Sequence, residues 1–390
     1  MIAIAKIATG ISAKVFANKT YDTEAISNEL SNTLKTWIIE NEAQYYRDIT
    51  VVVTPTDIEI KNNKMEGIFS VVLSQILKAE NPEELPMIRG MKKFIDSNEE
   101  SMSTNKAKAV NNELDSWLAE VKGYIGKTQT LNSDFKIVAD LSSDGSILPE
   151  TVNFFASDGQ GSFYKVDSLV DTADQMESAG FNHVKEIADK TNDAVPLAID
   201  TYRRCDLAHP PLPNKNDPAE TRYYEEYNDY LNHAANYADS FSYNREAYND
   251  AYYACLNDCA NFVSQAMYAG GIPIDYTHDV THWWCVPPNP PLDYSPWCFT
   301  TPVPQNCNTG LKNYMINNGY WVTSNFDTAN AGCVMMWKDT SGSAGHVAMI
   351  VQNDTVNHAY SAHNKDHRHF QYYSEFQNDC DFYAVHNYGS

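Results

Sequence analysis

A chain of 390 residues exceeds what one typical core organises, so two domains are expected. Its 43% hydrophobic and 20% charged residues fit a folded chain rather than a disordered one. The net charge of −23 argues against nucleic acid as a partner, and against electrostatic docking to anionic membranes or cell-wall polymers.

Residues 1–17 read as a signal-peptide remnant. Residues 2–17 are mostly small and apolar, and Val15-Phe16-Ala17 offers a small-residue cleavage signal before Asn18. Lys6 and Lys14 interrupt the run and no basic segment precedes it, so a first strand or helix of the N-terminal domain is the alternative. No later run of 18 apolar residues exists, and no membrane span is expected. The eight cysteines all follow residue 200, at 205, 255, 259, 285, 298, 307, 333 and 380. Setting aside Cys259 as a nucleophile leaves an odd number, so at most three disulfides form. One is expected among Cys285, Cys298 and Cys307, where a Pro-rich loop lacks secondary structure, and this fits an exported protein.

Residues 22–205 read as a small α+β domain. Ile26, Leu30, Leu34, Trp37 and Ile38 recur at helical spacing, and residues 49–60 read as strands around a Pro-containing turn. Helices are predicted across 66–79, 87–96 and 105–121, then strands across 124–141 and 149–168. Helices followed by a curled sheet resemble the cone-shaped NTF2-like fold. The segment carries no metal-ligand spacing, phosphate loop or nucleophile–base pair. Residues 206–220 carry four prolines in a polar stretch and read as a linker. The second domain then spans 221–390 and begins with a Tyr-rich helical stretch over 221–254, where Tyr243, Ala247 and Ala251 recur every four residues.

The segment from Asn257 to Ala266 carries the clearest chemistry. Asp258 is a suitable helix N-cap, Phe262, Val263, Ala266 and Met267 form an apolar face, and Gly270-Gly271 ends the helix. Cys259 then sits in the first turn, where the helix dipole and unpaired N–H groups, Ala260 included, favour a thiolate and can hold an oxyanion. Gly345-His346-Val347-Ala348-Met349-Ile350-Val351 reads as a strand opened by histidine, followed after Asn353-Asp354 by a second strand from Thr355 to about Asn364. A cysteine at a helix start and a later histidine at a strand start are the two halves of a Cys–His pair.

The run YNREAYNDAYYACLNDCANFVSQAMYAGGI, the later GHVAMIV and the following SAHNKD resemble the amidase domain family of the NlpC/P60-like cysteine peptidase superfamily over residues 241–385. The resemblance implies a papain-like α+β fold, with the Cys-bearing helix packed on an antiparallel sheet. It also implies Cys259 as nucleophile, His346 as base and a third polar residue that orients the base. Exported Gram-positive enzymes acting on peptidoglycan amide bonds are typical members, so a secreted or cell-wall-associated protein with a peptidoglycan or peptide substrate is expected. Where such members have an acidic residue, this chain has Cys333, between Gly332 and Val334.

If Asn353-Asp354 is a two-residue hairpin turn, His346 opposes Ser361 and shares a face with His363. His363 is then the expected orienter, and a slip of one residue substitutes Asn364. Trp283, Trp284 and Trp297 are candidates for a substrate-cleft wall, or else a satellite core within the Pro- and Cys-rich insertion. His278 with His282, and His363 with His367 and His369, suggest zinc only by proximity; no HExxH accompanies them, and neither a metal nor a cofactor is expected. The rivals to a hydrolase are a catalytically silent wall-binding protein on the same fold and an acyltransferase, transglutaminase-like, that uses the same pair.

Overall fold

The computed structural model describes residues 21–191, 227–255, 257–272, 274–275, 282–283, 285, 295–300, 310–338 and 344–385. The segments read as a signal peptide and a linker lie outside these residues, as do Trp284, His278, Cys205 and Cys307. Two compact units emerge, one of Met1–Gln75 with Asn132–Leu169, the other of Ile76–Leu131 with Val170–Ser390. Both mix helix and strand, as an α+β reading requires.

The first unit sets helix α1 (Thr23–Glu42) against strands β1 (Tyr46–Lys61), β2 (Lys64–Leu77), β3 (Thr128–Asp140), β4 (Asn153–Ser157) and β5 (Phe163–Lys165), hydrogen-bonded in that order. Asp22 caps α1 by accepting from the Ala25 N–H at 3.0 Å. Leu30, Leu34 and Ile38 are buried, and Trp37 stacks on Phe154 at 4.3 Å. Two expectations fail here. Residues 49–60 form one strand through Pro55, tolerated because β1 ends the strand order and a missing N–H costs little at an edge. Residues 66–79 are predominantly strand, not helix: Met65, Gly67, Phe69, Val71, Leu73, Gln75 and Leu77 are buried in strict alternation. That period of two, in a β-branched run, outweighs incidental helical spacing. Asn62-Asn63, both at positive φ, form the two-residue connection between β1 and β2.

The second unit contains helices α2 (Pro86–Asn98), α3 (Thr104–Tyr124), α4 (Ala173–Lys190), α5 (Tyr227–Phe241), α6 (Cys259–Gly270) and α7 (Leu311–Asn317). It therefore gathers helices from both sides of the expected linker. α4 escaped the sequence reading, although Thr172 and Gln175 make a reciprocal capping box at its start. α2 and α4 cross at Gly90 and Gly180; a Cβ on Gly90 would lie 1.9 Å from the Glu177 carbonyl oxygen, so only glycine permits this approach.

Strands β6 (Trp321–Ser324), β7 (Val334–Lys338), β8 (Ala344–Asn353), β9 (His358–Ala362), β10 (His367–Gln371) and β11 (Cys380–Val385) are ordered β10-β9-β8-β7-β11-β6, each neighbouring pair antiparallel. α6 packs against this sheet and is buried at all twelve positions. Each fully buried large apolar side chain on it, such as Phe262 or Val263, contributes about 1.5–3 kcal/mol. No described helix is long and apolar enough to cross a membrane.

Candidate active site

α6 ends as expected, with Gly271 in a left-handed conformation at φ 110° and its N–H on the Met267 carbonyl. Its start differs from expectation. Asp258 occupies the N-cap position, but its side chain makes no capping bond. The carboxylate turns away instead: Oδ1 accepts from the Cys255 N–H at 2.6 Å and from Asn261 Nδ2 at 2.8 Å, while Oδ2 meets His363 Nδ1 at 2.5 Å. Asn364 Oδ1 accepts from the Asp258 N–H at 2.7 Å.

The polar residues of α6 have partners too. Asn261 Nδ2 donates to the Tyr253 carbonyl, and Asn261 Oδ1 accepts from Trp297 Nε1 at 2.7 Å. Ser264 accepts from Trp283 Nε1 and donates to the Trp297 carbonyl, both at 2.9 Å. Gln265 accepts from the Tyr237 hydroxyl of α5 at 2.7 Å. A wholly buried helix tolerates these side chains because each is bonded. Trp283 and Trp297 are accordingly 0% exposed, with ring centroids 4.8 Å apart. They form a satellite core on α6 and present no cleft wall, which corrects that expectation for these two residues. Cys285 beside them is a buried thiol, its pKa pushed up to about 12 by burial and by Cys298.

Cys259 is 7% exposed and carries a free thiol. Burial pushes its pKa up, and the Asp258 charge adds to that; hydrogen bonding from the Val347, Ala260 and Cys259 backbone N–H groups acts in the opposite direction. The balance is a protonated thiol, where the helix start alone had suggested a thiolate. The Val347 contact places the sulfur beside the residue that follows His346.

His346 lies on β8 opposite Trp337 of β7, with ring centroids 5.2 Å apart. It is 8% exposed, and its Nε2 is buried without a hydrogen bond. Burial, reinforced by the positive charges of His367 and Lys365, lowers its pKa to about 4, so the imidazole is neutral at ordinary pH. No hydrogen bond joins Cys259 and His346 among the described residues.

The hairpin after His346 departs from the expected two-residue turn. Asn353 pairs with His358, so Asp354 to Asn357 form a four-residue loop. Asp354 Oδ1 accepts from the Val356 and Asn357 N–H groups at 3.0 and 2.6 Å, and Thr355 sits at φ 74°. A carboxylate that closes its own turn stabilises this longer loop. A register irregularity between Ile350 and Gln352 accompanies it. Met349 therefore faces Ser361, three positions from the expected His346. Three is odd, so from Ile350 back to His346 the faces invert, whereas Gln352 and Asn353 beside the turn are shifted by four and keep theirs. His346 shares its face with Tyr360, and Trp337 touches both rings at 5.2 Å.

His363 consequently does not orient His346. Its Nδ1 meets Asp258 and its Nε2 lies 2.7 Å from the Phe241 carbonyl oxygen, so both nitrogens are committed. The ring is sandwiched between Tyr248, at 3.5 Å and 2° from parallel, and Phe262 at 3.9 Å. Asn364, the alternate orienter, bonds Asp258 instead. His369 bonds Asp239 and Gln352. Tyr248 was missed because the Tyr-rich helix ends at Phe241 rather than near 254; Asn244 accepts from the Ala247 N–H and opens a short 3-10 turn there.

The family model described as "Putative amidase domain" matches residues 227–385, which holds every element of this site. The match supports an amidase-like family for that part of the chain and, with it, a hydrolase acting on amides. No curated protein and no solved structure matches the chain.

Proposed function

We propose that residues 227–385 hydrolyse an amide bond through Cys259 and His346 on a papain-like arrangement. The observation that carries this reading is the Val347 N–H at the Cys259 sulfur, which sets a helix-start cysteine beside a buried, neutral histidine. A thiol held protonated next to an unprotonated imidazole suits general-base activation at the moment of attack, rather than a preformed ion pair. His346 turns to take the proton from Sγ as sulfur bonds to the carbonyl carbon. The N–H groups at the start of α6 hold the oxyanion. His346 then protonates the leaving amine, and water releases the acyl group from the thioester. Contacts of this kind commonly tighten only once substrate is bound, which accounts for the open pair at rest.

Peptidoglycan peptides as substrate, export from a Gram-positive cell and a cell-wall location extend this reading, and rest on the sequence resemblance. The silent wall-binding alternative draws support from one observation, the missing bond between Cys259 and His346. One experiment separates them. Purified protein is incubated with peptidoglycan and with its stem peptides, and new amino and carboxyl ends are identified by mass spectrometry. Amide cleavage by the wild type, and none by Cys259→Ser at an unchanged thermal midpoint, is expected. No new ends from either protein would leave the binding reading.

A further inference from the structure

The carboxylate adjoining Cys259 and the imidazole expected to serve the base are bonded to each other instead. Both side chains are 1% exposed. A carbonyl oxygen can only accept, so the His363 nitrogen facing Phe241 carries a proton. A second proton lies between His363 Nδ1 and Asp258 Oδ2. Two features favour its residence on the imidazole. Asp258 Oδ1 already accepts two N–H groups, which stabilises the carboxylate form. The ring also lies between the faces of Tyr248 and Phe262, where a cation is favoured over a neutral ring.

We infer that Asp258 and His363 form a buried carboxylate–imidazolium clamp that positions the first turn of α6 and sets the charge felt by Cys259. His363 is thus a positioning residue, acting through Asp258 on the nucleophile rather than on the base. The clamp ties together four parts of the unit: the end of α5 through Phe241, the turn before α6 through Cys255, α6 itself through Asn261, and the end of β9. Negative charge on Asp258 opposes ionisation of Cys259, and the imidazolium offsets it from one bond further away.

This inference rests on Cys259 as the reactive thiol, but its test does not need amide hydrolysis. The rate of Cys259 alkylation by iodoacetamide is measured against pH in the full-length protein, with the site identified by peptide mapping. The other titratable groups around the turn are Cys255, Tyr248 stacked on His363, Tyr237 and Asp239 on α5, His346 on β8, and Lys365, Asp366 and His367 in and after the turn that follows β9. None is altered. Asp258→Asn keeps the shape and removes the charge, so the alkylation midpoint should fall by about 1 pH unit. His363→Gln keeps a donor toward Asp258 but removes the positive charge, so the midpoint should rise. Opposite shifts are the signature, since loosened packing alone would move both variants the same way. If His363→Gln does not fold, Asp258→Asn decides alone: a midpoint that stays or rises overturns the clamp. Opposite shifts in a protein that cleaves no amide would uphold the clamp and remove the hydrolase reading instead.

Discussion

Two buried histidines lie within twenty residues of each other and have opposite surroundings. His363 has a partner on each nitrogen and an aromatic ring on each face. His346 lies against Trp337 with its Nε2 buried and unbonded, and burial with nearby positive charge keeps it neutral. A ring with every valence used can anchor structure but cannot exchange a proton without breaking it. A ring with open valences near a thiol is poorly anchored and available. The contrast separates structure from chemistry between two residues that the sequence reading had paired as base and orienter.

The largest expected effect tests the available ring. His346→Ala should lower kcat by about 10²–10⁴-fold, the range of a lost general base, with the fold retained. The wild-type profile of kcat/KM should fall on the acid side near pH 4, because protonation there removes the base form. A kcat within twofold of wild type would take the base role from His346.

The anchored ring should behave in the opposite way. His363→Ala leaves the Asp258 carboxylate buried without its counter-charge, which typically costs about 3–5 kcal/mol. Against a total stability of roughly 5–15 kcal/mol, urea denaturation should show a large drop in midpoint. A variant as stable as wild type but slow in turnover would return His363 to catalysis.

Local patterning made the site's two halves legible and left their joint hidden. The start of α6 at Cys259 and its glycine end follow from short-range rules, as does the strand after His346. The face assignment depended on the register beyond the turn, where the four-residue loop shifts the pairing by four and an irregularity between Ile350 and Gln352 brings the shift to three. That one-position irregularity reversed which side chains meet. The partners of Ser264 and Asn261, Trp283 and Trp297, lie 19 and 36 residues away, separations across which periodicity carries no information. In the first unit the failure at β2 is local instead: its apolar residues fit both a helical spacing and a period of two, and the alternation of burial follows the second.

The smallest expected effect concerns another buried acid, Glu120 on α3. Its Oε1 accepts from the Ala331 N–H at 3.1 Å and its Oε2 has no hydrogen bond. Burial, with Asp354 and Glu113 nearby, pushes its pKa up to about 8, so Glu120 is a neutral acid at pH 7. The folded protein therefore keeps a proton that the unfolded chain releases above about 4.5, and stability should fall as pH rises from there to about 8. His346 and His358 act with the other sign. Burial lowers them to about 4 and about 3, so the unfolded chain holds their protons up to about 6.5, and stability rises with pH below that point. Asp327, raised to about 6 by burial and Asp171, shares the sign of Glu120 but finishes below 6.5. Between pH 6.5 and 8 Glu120 is then the main source of slope among these four groups, worth about 2 kcal/mol at 1.36 kcal/mol per unit. Glu120→Gln keeps the acceptor for Ala331 and cannot titrate. Its unfolding free energy should be flat over that interval while the wild type declines, so the variant gains on the wild type as pH rises. Parallel declines in the two proteins would show that Glu120 is already ionised in the fold.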